Sequence, residues 1–235
     1  MERKANTKKY RSPIVLYPIY WGIQDTRTSP GIYRALGAGV ALNGKTEKPK
    51  HTRYSSLQAN IGLGKPNFED GAIQYNLQFA YDISYLWPLV NDLEVGFNGF
   101  AFQHSRIAPT LSNSSFASDV AVGIGPSANF SKNVTLFKKD TKLTASLSLP
   151  LISYVNRVPE FGLSFTGTNS FVAPIGRFNK ISFKLNAERL FKKSAENKIN
   201  YFYKWDYYGM EEFDGLHNLR IASHQIGFHL WIKRN

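Results

Sequence analysis

Few side chains in this sequence are suited to catalysis, and the most suggestive run is Phe102-Gln-His-Ser-Arg106, followed by Ser112-Asn-Ser-Ser-Phe116. A histidine that accepts the proton of a serine hydroxyl is the minimal hydrolytic pair, because the freed oxygen then attacks an acyl carbon. On a strand, residues two apart share a face, whereas adjacent residues such as His104 and Ser105 point to opposite faces. His104 therefore needs Ser112 or Ser114, folded back from the following loop. A polar strand end leading into a Ser/Asn loop explains the same residues without chemistry. Ser223-His224 repeats the adjacency. His224 and His229 lie five apart, on opposite faces of an unbulged strand, and a metal site needs more ligands than these. His217 falls in a predicted turn. The 235 residues include no cysteine, so neither a disulfide framework nor a thiolate metal site is available. No metal and no cofactor are expected. Gly37-Ala-Gly-Val and Gly123-Ile-Gly-Pro lack the Gly-Lys-Ser/Thr ending and the helix of a phosphate loop.

The elements that would carry these residues are strands. In Ile73 to Tyr85, one face holds Ile73, Tyr75, Leu77, Phe79, Tyr81, Ile83 and Tyr85, and the other Gln74, Asn76, Gln78, Ala80, Asp82 and Ser84. A helix would spread these residues around its circumference, but a strand sorts them. The same alternation recurs and predicts ten strands, over 31–43, 51–64, 71–86, 92–107, 115–131, 141–155, 160–173, 178–192, 197–210 and 218–233. Turn chemistry separates them, at 43–49, 65–71, 87–92, 109–114, 138–141, 156–160, 174–179, 193–197 and 211–218. Residues 1–30 form a basic N-terminal segment in which 12–22 is an extra strand or a plug, and 31–235 form the barrel. Pro13 and Pro18 argue against a central strand at 12–22.

Alternation alone fits a soluble barrel or its inverse. The polar faces here are mostly Gln, Asn, Ser, Thr, Gly and Ala, which suit a narrow lumen better than a water-facing surface. The apolar faces carry amphipathic rings suited to a membrane interface: Tyr81, Tyr85, Trp87, Tyr203, Trp205, Tyr207 and Trp231. Predicted strands of about 12–16 residues exceed the ~9–11 that cross a bilayer. Mean hydropathy is −0.31, because averaging cancels the two faces. The expected fold is all-β, an antiparallel up-and-down transmembrane β-barrel of about 10–12 strands. Its lumen is expected to hold Arg34, Asp82, Glu94, Asp119, Lys184, Glu188, Lys204, Asp206 and Arg220, with Lys184/Glu188 and Lys204/Asp206 forming a charge ladder. These charges are read as ion pairs filling the lumen or as a selective constriction.

The formal charge of +12 points to an anionic neighbour. Basic residues gather at the N-terminus and in predicted turns, and not in a stripe on a nucleic-acid-binding module. Met1 to Arg11 is basic but leads into a proline-containing stretch unlike a secretory leader, so export implies a mature form.

On strand patterning and runs such as Tyr201-Phe-Tyr-Lys-Trp-Asp-Tyr-Tyr208, residues 31–233 resemble the small outer-membrane β-barrel proteins of Gram-negative bacteria. Many of these end in an aromatic residue, whereas this chain ends Leu230-Trp-Ile-Lys-Arg-Asn235. The resemblance implies the bacterial outer membrane as location and membrane lipid as partner, including lipopolysaccharide phosphates. Lipid hydrolases of that membrane often place His and Ser one step apart on a strand face, which His104 and Ser105 do not. With short connections and no convincing triad, the favoured role is a non-enzymatic structural or accessory subunit of a membrane assembly, with protein partners and no nucleic acid. The alternatives are a narrow channel for small anionic solutes, a lipid hydrolase using His104 with Ser112, and a soluble barrel that binds a hydrophobic ligand.

Overall fold

The computed structural model describes residues 7–26, 29–67, 72–109, 116–158, 169–191, 194–211 and 218–234. The predicted turns at 109–114 and 211–218, and the first half of the predicted strand at 160–173, lie largely outside them; of the predicted turn at 156–160, Asn156 to Val158 are strand instead. The described residues form β1 (Lys8–Asp25), β2 (Ser29–Glu47), β3 (Thr52–Pro66), β4 (Gln74–Val90), β5 (Leu93–Ile107) and β6 (Phe116–Leu136). They continue through β7 (Lys139–Ser148), β8 (Ile152–Val158), β9 (Asn169–Pro174), β10 (Phe178–Phe191), β11 (Ser194–Glu211) and β12 (Asn218–Arg234).

These twelve segments make a ten-stranded barrel. Both β7 and β8 pair with β6, at Ser127↔Ser148 and Ile124↔Ile152, so they are two halves of one strand bent at Leu149-Pro150-Leu151. Likewise β10 pairs with β7, and β9 with β8. The predicted strands at 160–173 and 178–192 are therefore one interrupted strand, and Ile175 to Arg177 is an offset within it rather than a hairpin. Neighbouring strands are antiparallel in chain order, and β1 closes the ring against β12.

That closure corrects the expectation for residues 12–22, which lie in a full-length strand between β2 and β12. Both prolines are tolerated because the β12 ladder shifts between Arg11 and Ile19, and Pro13 also lies in the shift of the β2 ladder between Ser12 and Val15. A residue without an N–H costs little where the ladder is already interrupted.

The outer surface is apolar. Leu16, Leu36, Ile61, Leu63, Phe79, Val122 and Phe228 are all more than half exposed. Inside, Asn60, Asn76, Gln58, Ser127 and Asn129 are buried. This is the reverse of a soluble barrel and the arrangement of one that spans lipid, where backbone groups must pair around a closed ring. Both described chain ends and the connections 48–51, 91–92 and 137–138 lie at one end, the turn side. The strand ends at Pro66, Gln74, Ile107 and Phe116 lie at the other, the loop side.

Ile61 faces outward near the middle of β3. Ile61→Arg is expected to destabilise the folded barrel in lipid vesicles by about 2–4 kcal/mol, measured by urea titration. A loss below ~0.5 kcal/mol, ordinary for a surface position, would contradict a lipid-facing exterior.

Candidate functional site

The lumen divides into two halves of different chemistry. On the loop side it is filled. Ile19, Trp21, Ile23, Tyr33, Phe100, Phe102, Phe178, Tyr208 and Met210 belong to one buried cluster. The rings of Phe102 and Tyr208 lie 4.7 Å apart, and those of Phe100, Phe102 and Phe178 within 6.4 Å of one another. Glycines on the neighbouring strands β2 and β3 make room. A Cβ at Gly62 would strike the Trp21 ring, and one at Gly39 the Tyr17 ring.

Within this half the strand ends bring four charges into a ring. Arg106 donates to Asp119 at 2.6 Å and to Asp25 at 2.8 Å, while Arg157 donates to Asp25 at 2.5 Å and lies 3.4 Å from Asp119. All four side chains are at most 3% exposed. Two cations alternate with two anions, so the ring is neutral and each charge faces two opposite ones. It ties β1, β5, β6 and β8 together across the lumen. Of the four, only Asp119 stands out from sequence. Arg106 shares strand parity with His104 and Glu94, which is a legible signal. Asp25 and Arg157 read as parts of a terminal segment and a turn.

His104 is fully buried beside this ring, stacked on Trp21 at 6.2 Å, with Nδ1 2.6 Å from the Tyr208 hydroxyl. Its Nε2 has no hydrogen-bond partner among the described residues. Ser105 instead pairs with Ser118 at 3.1 Å, on the opposite face. Ser112 lies outside the described residues, as do Ser114 and His217. Among the described residues, no three His, Cys, Asp or Glu side chains are grouped to hold a metal.

The turn-side half is polar and holds a cavity of about 150 Å³. Asp82, Lys184, Glu188 and Lys204 line it. Lys204 meets Asp206 at 2.8 Å and Asp82 at 3.7 Å, and Lys180 meets Asp82 at 3.3 Å. Glu94 accepts hydrogen bonds from Thr52 at 3.0 Å and Asn129 at 3.4 Å. Glu188 pairs with Lys198 at 2.8 Å and Lys45 at 3.8 Å, and not with Lys184. Four residues along a strand span ~13 Å, too far for the 184/188 rung of the expected ladder. Lys45 and Lys198 read as turn residues because β2 and β11 extend further than alternation alone suggests.

Three expected placements are corrected by strand parity. Arg34 and Arg220 are exposed on the outer face, sharing it with Leu36 and Ile226. Trp231, 6% exposed, lies in the lumen with its ring 4.7 Å from that of His229. Tyr81, Tyr85 and Trp87 are exposed outward, and Tyr203, Trp205 and Tyr207 share the outward parity of β11. His224 is also outside, bonded to the Tyr203 hydroxyl at 2.8 Å.

Arg106→Met strands Asp25 and Asp119 beside a single arginine. It is expected to cost about 3–5 kcal/mol of stability in a urea titration of the refolded barrel. A cost below ~1 kcal/mol, the value of an exposed pair, would show that water reaches the ring.

No family model matches this chain, and no curated protein matches it. Among solved structures, the outer membrane protease OmpT from Escherichia coli is similar over 97% of this chain and 96% of its own, at 8% identity and a TM-score of 0.49. The translocator domain of the autotransporter NalP from Neisseria meningitidis is similar over 96% of this chain and 89% of its own, at 11% identity and a TM-score of 0.40. The barrel assignment rests on this chain's own closed ladders and apolar exterior.

Proposed function

We propose that this barrel sits in a bacterial outer membrane as a non-enzymatic structural or accessory subunit of a larger assembly. The observation that carries this reading is the filled loop-side half of the lumen. There the buried aromatic cluster and the Arg–Asp ring occupy the interior of the barrel. Barrels near eight strands are just filled by side chains, and ten strands with large residues remain in that regime. Among the described residues, the buried Nε2 of His104 meets no hydroxyl.

Charge distribution supports the location. Among the described side chains, the outward strand positions bear Lys9, Arg11, Arg34, Arg53, Lys65, Lys132, Arg189, Arg220 and Arg234 but no acid. Asp25, Glu47, Asp82, Glu94, Asp119, Glu188 and Asp206 all take inward positions. The basic residues lie toward the two ends of the strands, where they meet anionic headgroups, including lipopolysaccharide phosphates. With short turns inside and longer loops outside, as outer-membrane barrels are oriented, Arg34, Lys65 and Arg220 face the outer leaflet.

Two measurements test the proposal. In planar bilayers the purified chain is expected to give no discrete conductance steps, and stepwise opening would favour the channel instead. On native gels after mild detergent extraction it is expected to migrate well above its 26.6 kDa monomer. Migration as a lone monomer would overturn the subunit role.

A further inference from the structure

In the turn-side chamber, Lys184 makes no ion pair among the described residues. Lys184 on β10 stands opposite Lys204 on β11. Two like charges directly opposite on neighbouring strands repel. Lys204 is neutralised by Asp206 and Asp82, and Asp82 is shared with Lys180. Glu188 and Glu47 are taken by Lys45, and Glu188 also by Lys198. No carboxylate pairs with Lys184 among the described residues. Its Nζ lies 5.4 Å from the centroid of the Phe202 ring.

Three residues around Lys184, namely Ser146, Ser148 and Asn186, carry hydrogen-bond donors without acceptors among the described residues. The lumen-facing rungs between β7 and β10 are Ser148↔Ser182, Ser146↔Lys184, Thr144↔Asn186 and Lys142↔Glu188. Ser182 donates to Asp206, and Thr144 pairs with Ser131. Among the described residues, the hydroxyls of Ser146 and Ser148 make no hydrogen bond. Asn186 engages its carbonyl oxygen, which accepts from Asn200 at 2.9 Å, while its amide N–H groups meet no acceptor among the described residues. All four residues line the cavity of about 150 Å³, the volume of about five waters at ~30 Å³ each. The charged residues that line the cavity are Lys45, Lys142, Lys184 and Lys204 against Asp82 and Glu188, so cations outnumber anions there.

We propose that this chamber is a binding site for a small oxyanion, a carboxylate or a phosphate group, held by Lys184 with Ser146, Ser148 and Asn186 donating hydrogen bonds. The site goes beyond the subunit role and does not depend on it. A surplus cation in a confined polar space is stabilised by a bound anion, and charge-assisted hydrogen bonds are the strong ones. Asp82 and Glu188 do not compete, because each already answers two lysines. With the loop side filled, the anion enters and leaves from the turn side, so the chamber binds without conducting.

The test is calorimetric titration of the full-length barrel, refolded in detergent, with sodium phosphate and with sodium acetate at constant ionic strength. Saturable binding of at least one anion is expected, and which one binds separates a phosphate from a carboxylate site. Lys184→Gln is expected to weaken it about tenfold or more, while Lys132→Gln on the outer face leaves it unchanged. Binding of neither anion, or equal affinity in Lys184→Gln, would overturn the proposal. Folding of each variant is checked by its heat-dependent gel mobility. Should Lys184→Gln not fold, the Ser146→Ala/Ser148→Ala double variant decides: several-fold weaker binding supports the site, and unchanged affinity removes it.

Discussion

A strand in lipid has no water to satisfy its backbone, so every N–H and C=O must find a neighbouring strand. Here that constraint is met at one seam, the ladder between β1 and β12, where the first described strand meets the last. Without it, both strands would present an open edge to hydrocarbon. The seam also explains why residues with two prolines are built into the wall. Closure needs the strand, and the ladder shifts between Arg11 and Ile19 to accommodate it. The same shift lets Tyr10 and Ser12 on one side, and Val15 and Tyr17 on the other, all face inward.

Once the ring is closed, its interior has a fixed width and must be filled from within. Large rings from β1, β5, β10 and β11 do so on the loop side, and glycines on β2 and β3 yield the space. The Arg–Asp ring completes that plug with no net charge. On the turn side, smaller polar residues leave room, and among the described residues carboxylates pair with Lys45, Lys180, Lys198 and Lys204 but not with Lys184. One half is a filled seal and the other a small polar chamber.

Charge sorting follows from the same geometry. A carboxylate on the lipid side of a headgroup region meets other anions, whereas a lysine or arginine there meets phosphate. The described acids of the wall are accordingly inside and the outward charges basic, so a chain of net charge +12 folds without stacking that charge in the lumen. Arg34 and Arg220 belong to this outer set. Their parity with Leu36 and Ile226 was legible, and only a general expectation that charges avoid lipid pointed them inward.

Alternation along runs such as Ile73 to Tyr85 was enough to determine strands, an apolar face, a polar face and the inversion that marks a membrane barrel, because the side-chain period of a strand is a local property. The aromatic positions on β4 and β11 were readable for the same reason. Trp231 was misplaced because its residue type was weighed above its parity. Tertiary structure decided the rest. The offset at Ile175 to Arg177 has the composition of a turn, and only its pairing with β7 and β8 shows one continuous strand. Asp119 and Arg157 are ladder partners and Arg106 lies on the adjoining strand, but only the closed barrel brings Asp25 of β1 within ion-pair distance of both arginines. Whether a lysine is paired or left facing a cavity depends on which strand lies across the lumen, and no local pattern encodes that.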